Sequence, residues 1–194
     1  GSIFDTLMNV GVIALIVLFQ DEIRRFLLTL GSHRHVSALA RLFNGAKKEV
    51  LKHDDIMPVV MACLSMGKQK VGALIVIEHN GPLDEIVRTG EMIDAAINQR
   101  LIENIFFKNS PLHDGAMVIS KKRIKAAGCI LSHDLNIPKE LGLRHRAAMG
   151  ISQQSDAHAI IVSEETGAIS VAYRGQFYLR LNAEELESLL TKEN

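Results

Sequence analysis

The sequence has no tryptophan, and Phe, Trp and Tyr together make up only 5% of its 194 residues. That leaves little material for the aromatic platforms on which single-stranded nucleic acid stacks. Excess charge is missing too: 22 basic and 22 acidic residues give a formal net charge of +0. A nucleic-acid-binding domain would show a broad positive footprint, so no nucleic-acid partner is expected; a local anion site needs only a local cluster. The two cysteines, Cys63 and Cys129, sit in apolar surroundings without CxxC spacing and read as reduced core thiols of a cytosolic domain. There is no Walker loop, no dinucleotide-binding glycine fingerprint, no Ser-His-Asp order, no zinc cluster, no internal repeat and no low-complexity segment.

What is present is apolar: 47% of the residues are hydrophobic, which excludes a disordered chain. The length suits one domain with a sizeable core plus an appendage. Gly1-Ser2 reads as a cloning scar, and the native protein is expected to begin upstream. The appendage is "IFDTLMNVGVIALIVLFQDEIRRFLLTLG" at 3–31, where residues 10–19 form an unbroken run apart from Gly11. Asp5, Thr6 and Asn9 are the polar interruptions before it. A membrane-spanning helix needs about 17–25 residues, and this stretch reaches the lower end of that range. Arg24 and Arg25 form a basic flank that marks the cytoplasmic side. Residues 3–31 therefore read as the last part of a transmembrane region with a juxtamembrane helix; the competing reading is a buried or partner-facing helix of a soluble protein. Residues 32–55 read as a polar linker with helical pieces near 36–43 and 46–52. His33 and His35 within it fall short of a metal shell and belong to a basic juxtamembrane segment.

Residues 56–194 have an α/β pattern. Short apolar runs at 71–77, 115–119, 126–131, 157–162 and 168–172 read as strands, four of them without polar alternation and hence covered on both faces. The links "SKKR" at 120–123 and "SEETG" at 163–167 are too short for helices, so each joins an antiparallel hairpin. Ile93, Ile97, Leu101 and Ile105 recur at i+4 and predict one helical stripe; residues 183–190 predict a second helix. The expected fold class is α/β: a mixed, mainly buried, twisted β-sheet with helices on both faces, preceded by an N-terminal membrane-type helix.

Four short stretches could carry chemistry. In "LGLRHRAAMGIS" at 141–152, Arg144, His145 and Arg146 fall at or before the start of a helix. Cations are disfavoured there by the helix dipole, and an anionic ligand would resolve the conflict through free N–H groups and two guanidinium forks. A solvated basic turn is the plain alternative. "SEETG" offers Ser163, Glu164 and Glu165 at a strand end, able to hold Mg²⁺ or Mn²⁺ with substrate phosphates, or simply an exposed hairpin. "HDGA" puts His113 and Asp114 in front of a buried strand, where Asp-Gly is also an ordinary turn signal. "GALI" at 72–75 has small residues against which a flat ring could lie, or which mark only a close backbone approach.

Taken together, "GALIVIE", "SPLHDGA", "LRHRAA" and "SEETG" resemble, in order and approximate spacing, the bacterial diadenylate cyclase (DAC domain) family. The segment ending "LFQDEIRRFL" resembles its membrane-anchored CdaA-type members. The resemblance implies the DAC-domain fold and an enzyme that condenses two ATP into cyclic di-AMP with release of two pyrophosphates, using Mn²⁺, Mg²⁺ or Co²⁺. It implies that Asp114 lies at the ribose 3′-hydroxyl, that Gly115 and Ala116 admit the nucleotide, and that Arg144, His145 and Arg146 cradle the triphosphate. Gly72, Ala73, Leu74 and Ile75 would lie near the adenine, and Ser163 and Glu164 would contact ATP. Glu165, Asp114 and His113 would place the metal. Two departures stand out: Leu143 where many relatives have Thr, and a short "GCILSHD" at 128–134. The product is two-fold symmetric and the chain carries one copy of each motif, so a face-to-face homodimer is the expected catalytic unit. The expected location is the cell membrane with the catalytic domain cytoplasmic, which leaves room for a regulatory membrane-protein partner. The rival reading is a non-catalytic module that binds ATP or cyclic di-AMP within a membrane-linked signalling protein.

Overall fold

The computed structural model describes residues 51–132 and 142–191; the expected membrane segment, His33, His35 and most of the linker lie outside these residues. The elements in chain order are α1 (His53–Gln69), β1 (Ala73–Ile77), the one-turn α2 (Asp84–Val87), β2 (Glu91–Ala96), α3 (Gln99–Ile105), β3 (Ala116–Ser120), β4 (Arg123–Cys129), α4 (Leu143–Gln154), β5 (His158–Val162), β6 (Ile169–Tyr173), β7 (Gln176–Tyr178) and α5 (Ala183–Thr191). The strands form one sheet in the order β2-β4-β3-β1-β5-β6-β7. β1 and β3 run parallel, and the neighbouring pairs on either side are antiparallel. This is the mixed sheet expected from the sequence.

Every residue of β1, β3, β5 and β6 is buried, because both faces of the sheet are covered. The period-2 pleat is still present within these all-apolar strands. Ala73, Ile75 and Ile77 join a core with Ile56, Val59, Val60 and Cys63 of α1, Ile102 and Ile105 of α3, and Leu186 and Leu190 of α5. Leu74 and Val76 point the other way, into a core with Ala147, Ala148 and Ile151 of α4 and Leu83, which precedes α2. That second core is rich in alanine: Ala116, Ala126, Ala157, Ala159 and Ala172 line it, and small side chains let α4 lie close to the sheet. Burial raises the thiol of Cys63 to about 12 and that of Cys129 to about 11, so both stay protonated, as expected of core thiols.

Both expected hairpins form. Lys121 and Lys122 have φ of 48° and 58° in the two-residue turn between β3 and β4, the double left-handed conformation that suits the twist of a tight hairpin. The expected helical stripe at 93–105 does not form as one element. Residues 91–96 are instead edge strand β2, paired antiparallel with β4. The break comes at Asn98, whose side chain accepts from the N–H groups of Arg100 and Leu101 and caps α3. Ile93 lies in β2 and Ile97 just past its end, both before the helix that carries Leu101 and Ile105. β4 begins at Arg123 rather than at residue 126, and the short β7, paired with β6, gave too little pattern to be read.

Candidate active site

The register fixes which residues share an end of the sheet. Ala73 of β1 pairs with Val162 of β5, while β1 and β3 run parallel with Ile75 opposite Met117. The starts of β1 and β3 and the end of β5 therefore lie at one end. That end carries Gly72, the turn Asp114-Gly115 and the hairpin starting at Ser163.

α4 delivers its N-terminus to the same place. Its N-cap is Gly142, which has no side chain to cap with, and its first turn contains no acidic residue. The N–H groups of His145 and Arg146 both turn back to the Gly142 carbonyl. Arg144 reaches across to the hairpin, where its Nη1 donates to Glu164 Oε2 at 2.9 Å. Gly72 lies directly beneath this pair. A Cβ on Gly72 would stand 2.7 Å from Arg144 Nη1 and 2.9 Å from Glu164 Oε2. Three stretches singled out in the sequence, at 72, 144 and 164, thus meet at one point. Arg146 brings a second guanidinium; its Nε is buried and, among the described residues, has no hydrogen-bond partner. A buried unpaired donor on a cation is costly, and an anion bound beside it would remove that cost. His145 adds a ring rather than a charge: burial lowers its pKa below the ordinary 6.5, and its ring meets Phe177 edge-on with centroids 6.0 Å apart.

The carboxylate hairpin is held from behind. Ser163 Oγ accepts from the N–H groups of Glu165 and Thr166, so its side chain braces the turn. Gly167, at φ +74°, faces Gly67 near the end of α1 so closely that a Cβ on Gly67 would lie 2.6 Å from the Gly167 carbonyl oxygen. This backbone-to-backbone contact sets where Glu164 and Glu165 stand, and sequence reading missed it. Two glycines about a hundred positions apart carry no sign that they touch.

Asp114 is exposed at the mouth of β3. Gly115 has φ +126°, and a Cβ there would lie 2.7 Å from the Gly128 carbonyl carbon and 2.8 Å from the Cys129 carbonyl oxygen. The Asp-Gly pair is therefore a bend that only glycine can make. His113 donates through Nδ1 to the Ser110 carbonyl at 2.6 Å, because a carbonyl can only accept. That makes Nδ1 the donor, and Nε2 is the ring nitrogen not used in this bond. Gly72, Ala73, Leu74, Ile75 and Ala116 are all buried, so of those stretches only the half-buried Gly115 reaches the surface of the site, and Gly72 acts from beneath the Arg144–Glu164 pair. Leu143, in the first position of α4, is among the most exposed large apolar side chains described.

Residues 60–177 match the family model described as the DisA bacterial checkpoint controller nucleotide-binding domain, DAC. The chain belongs to the DAC family. Residues 1–23 match the model of the CdaA N-terminal transmembrane domain, so the chain joins a membrane-type segment to a DAC domain. Among the described residues, no helix is long and apolar enough to cross a membrane. Over 193 residues the chain is 39% identical to the cyclic di-AMP synthase CdaA of Bacillus subtilis, spanning 98% of this chain and 69% of the relative. The diadenylate cyclase of Listeria monocytogenes is 38% identical over the same shares. A crystal structure of a DacA double mutant from Staphylococcus aureus superposes with a TM-score of 0.68 at 45% identity, covering 71% of this chain and 93% of that one. The mixed seven-stranded sheet is thus the DAC-domain architecture.

Proposed function

We propose that this protein is a diadenylate cyclase, condensing two ATP into cyclic di-AMP with release of two pyrophosphates. The observation that carries the reading is the meeting of Gly72, Arg144 and Glu164 at the end of the sheet that also bears Asp114. The relatives named above supply the reaction, and the geometry supplies its parts. Attack of a ribose 3′-oxygen on an α-phosphate needs a carboxylate beside the hydroxyl, and Asp114 stands exposed on a rigid bend for that task. It needs fixed cations and N–H dipoles around the polyphosphate and the leaving pyrophosphate. The N-terminus of α4, Arg144 and Arg146 offer these.

The chemistry of this family calls for a divalent cation, which would neutralise polyphosphate charge. Among the described residues no three His, Cys, Asp or Glu side chains converge, so the protein would supply part of the shell and the phosphates the rest. The residues fit that arrangement: His113 uses Nδ1 for the Ser110 carbonyl, so Nε2 is the nitrogen it could offer, and Asp114, Glu164 and Glu165 are exposed carboxylates. His113, Asp114 and Glu165 are the proposed metal-side residues. The catalytic unit is a homodimer, because each nucleotide must attack the other and one copy of the site offers one set of groups. The domain faces the cytoplasm, where ATP is.

The test is direct. Purified protein with ATP and Mn²⁺ should yield cyclic di-AMP and pyrophosphate by mass spectrometry, and Asp114→Asn should abolish turnover while retaining much of the ATP binding. Absence of product with Mn²⁺, Mg²⁺ and Co²⁺ at high protein concentration would refute the reading.

A further inference from the structure

Glu164 stands where an anionic ligand of Arg144 would stand. Its Oε2 accepts from Arg144 Nη1 at 2.9 Å, and Gly72 beneath leaves the pair no slack on the sheet side. The two partners are not equally free. The Arg144 side chain is 25% exposed, whereas that of Glu164 is 62% exposed, so the carboxylate is the one that can swing away. Among the described residues the charge around them is one-sided: the N-cap Gly142 of α4 offers no side-chain cap, the first turn holds no acid, and the Nε of Arg146 is buried without a partner. Glu164 is the carboxylate that meets this cationic end, and it comes from a different element.

A polyphosphate approaching Arg144 must displace Glu164, and two anions crowded at one guanidinium repel each other. A polyphosphate carrying a divalent cation meets no such conflict. Carboxylate oxygen is an ordinary ligand of such cations. Glu164 can then exchange Arg144 for the cation while Arg144 exchanges Glu164 for phosphate, and no charge is left unpaired. Resting on the nucleotide reading above, we propose that Glu164 is an internal competitor for Arg144, so that the site selects polyphosphate arriving with its divalent cation and excludes free polyphosphate and simple anions. Glu164 is in this sense a specificity-determining residue, distinct in role from its neighbour Glu165.

The experiment is calorimetric titration of wild type, Glu164→Gln and Glu165→Gln with ATP in EDTA, ATP with Mg²⁺, and inorganic triphosphate in EDTA, each variant first checked for an unchanged melting curve. An ion pair of this exposure is worth about 1 kcal/mol, so Glu164→Gln should tighten metal-free ATP and triphosphate about 5-fold and shrink the metal dependence of Kd. Glu165→Gln should leave metal-free affinity within about twofold of wild type. Metal-free affinity that is unchanged or weaker in Glu164→Gln overturns the proposal, as does an equal gain in both variants, which would indicate a general field rather than the Arg144 pair. Failure of wild type to bind ATP with Mg²⁺ overturns both this proposal and the nucleotide reading. Binding with the expected pattern but no cyclic di-AMP overturns the cyclase reading alone.

Discussion

Replacing Gly72 by alanine should separate activity from stability. The added Cβ would lie 2.7 Å from Arg144 Nη1, 2.9 Å from its Cζ and 2.9 Å from Glu164 Oε2. Comfortable contact is about 3.5–4.0 Å, so both side chains must retreat by about 0.6–1.3 Å. They are the far ends of flexible chains, and the fold can absorb that. Weakening the ion pair costs at most about 1 kcal/mol, because Glu164 is largely exposed. Reduced freedom of the unfolded chain returns about 0.4–1 kcal/mol, Gly72 having no left-handed φ to defend. The net change in stability is within about 1 kcal/mol, a few degrees in Tm. Activity is more sensitive, since a displacement of about 1 Å of a positioning group can cost about 10²-fold. The assay is cyclic di-AMP formation per folded protein beside a thermal melt. Turnover within about threefold of wild type at an unchanged Tm would refute the claim that Gly72 exists to seat Arg144 and Glu164.

Gly67→Ala and Gly167→Ala should behave oppositely. Here the obstacle is backbone, and Gly167 also has φ +74°, so each should lose more than about 2 kcal/mol by urea titration. Asn98→Ala removes the acceptor of two N–H groups at the start of α3 and should cost about 1 kcal/mol in the same measurement without altering nucleotide affinity. Burial, then the neighbouring His79 and Arg174 charges, lower the pKa of His158 to about 3 from 6.5. The unfolded chain therefore binds a proton below pH 6.5 that the folded chain refuses. This contribution is complete above that pH and is lost as pH falls towards 3, with a slope of at most about 1.4 kcal/mol per pH unit. His158→Phe keeps a ring stacked on Tyr173 and should flatten the decline between pH 7 and 5; equal slopes in both proteins would count against this account. Specific activity should rise with protein concentration if two copies must meet, and a flat dependence down to the lowest assayable concentration would argue against assembly during catalysis.

The parts of the fold readable from sequence were those where local pattern and tertiary need agree. The runs 71–77, 115–119, 157–162 and 168–172 are apolar on both faces because the sheet is covered on both faces, and the links at 120–123 and 163–167 can only be hairpins. β2 was misread because an edge strand answers to its single neighbour β4; its own spacing also fits a helix until the Asn98 cap is recognised. In the candidate site the charged residues were legible as breaches of a local rule, with Arg144 and Arg146 at a helix N-terminus that should favour acids. The supporting contacts were not legible. Gly67 against Gly167, and Gly115 against Gly128, are long-range approaches whose only local trace is a glycine.

The two ends of the sheet argue in the same direction by contrast. At the end away from the site, polar groups are closed off. Asp156 accepts from the backbone N–H groups of Asn80 and Gly81 and from the Asn80 side chain, and these bonds hold its pKa low although burial, the largest single influence, pushes it up. Glu78 accepts from Ser120 Oγ and the Leu83 N–H, and His158 Nδ1 lies 2.5 Å from His79 Nε2 while its ring stacks on Tyr173. Among the described residues, the same strands at their other end leave the Nε of Arg146 buried and unpaired, α4 without a side-chain cap from Gly142, and Asp114 exposed. A chain that pairs its polar groups at one end has the means to pair them at the other. Leaving the buried Arg146 Nε without a partner costs stability, which is the expected trade where a ligand is to complete the bonding. The buried group left unpaired is a cationic donor, so the partner that would complete it is an anion.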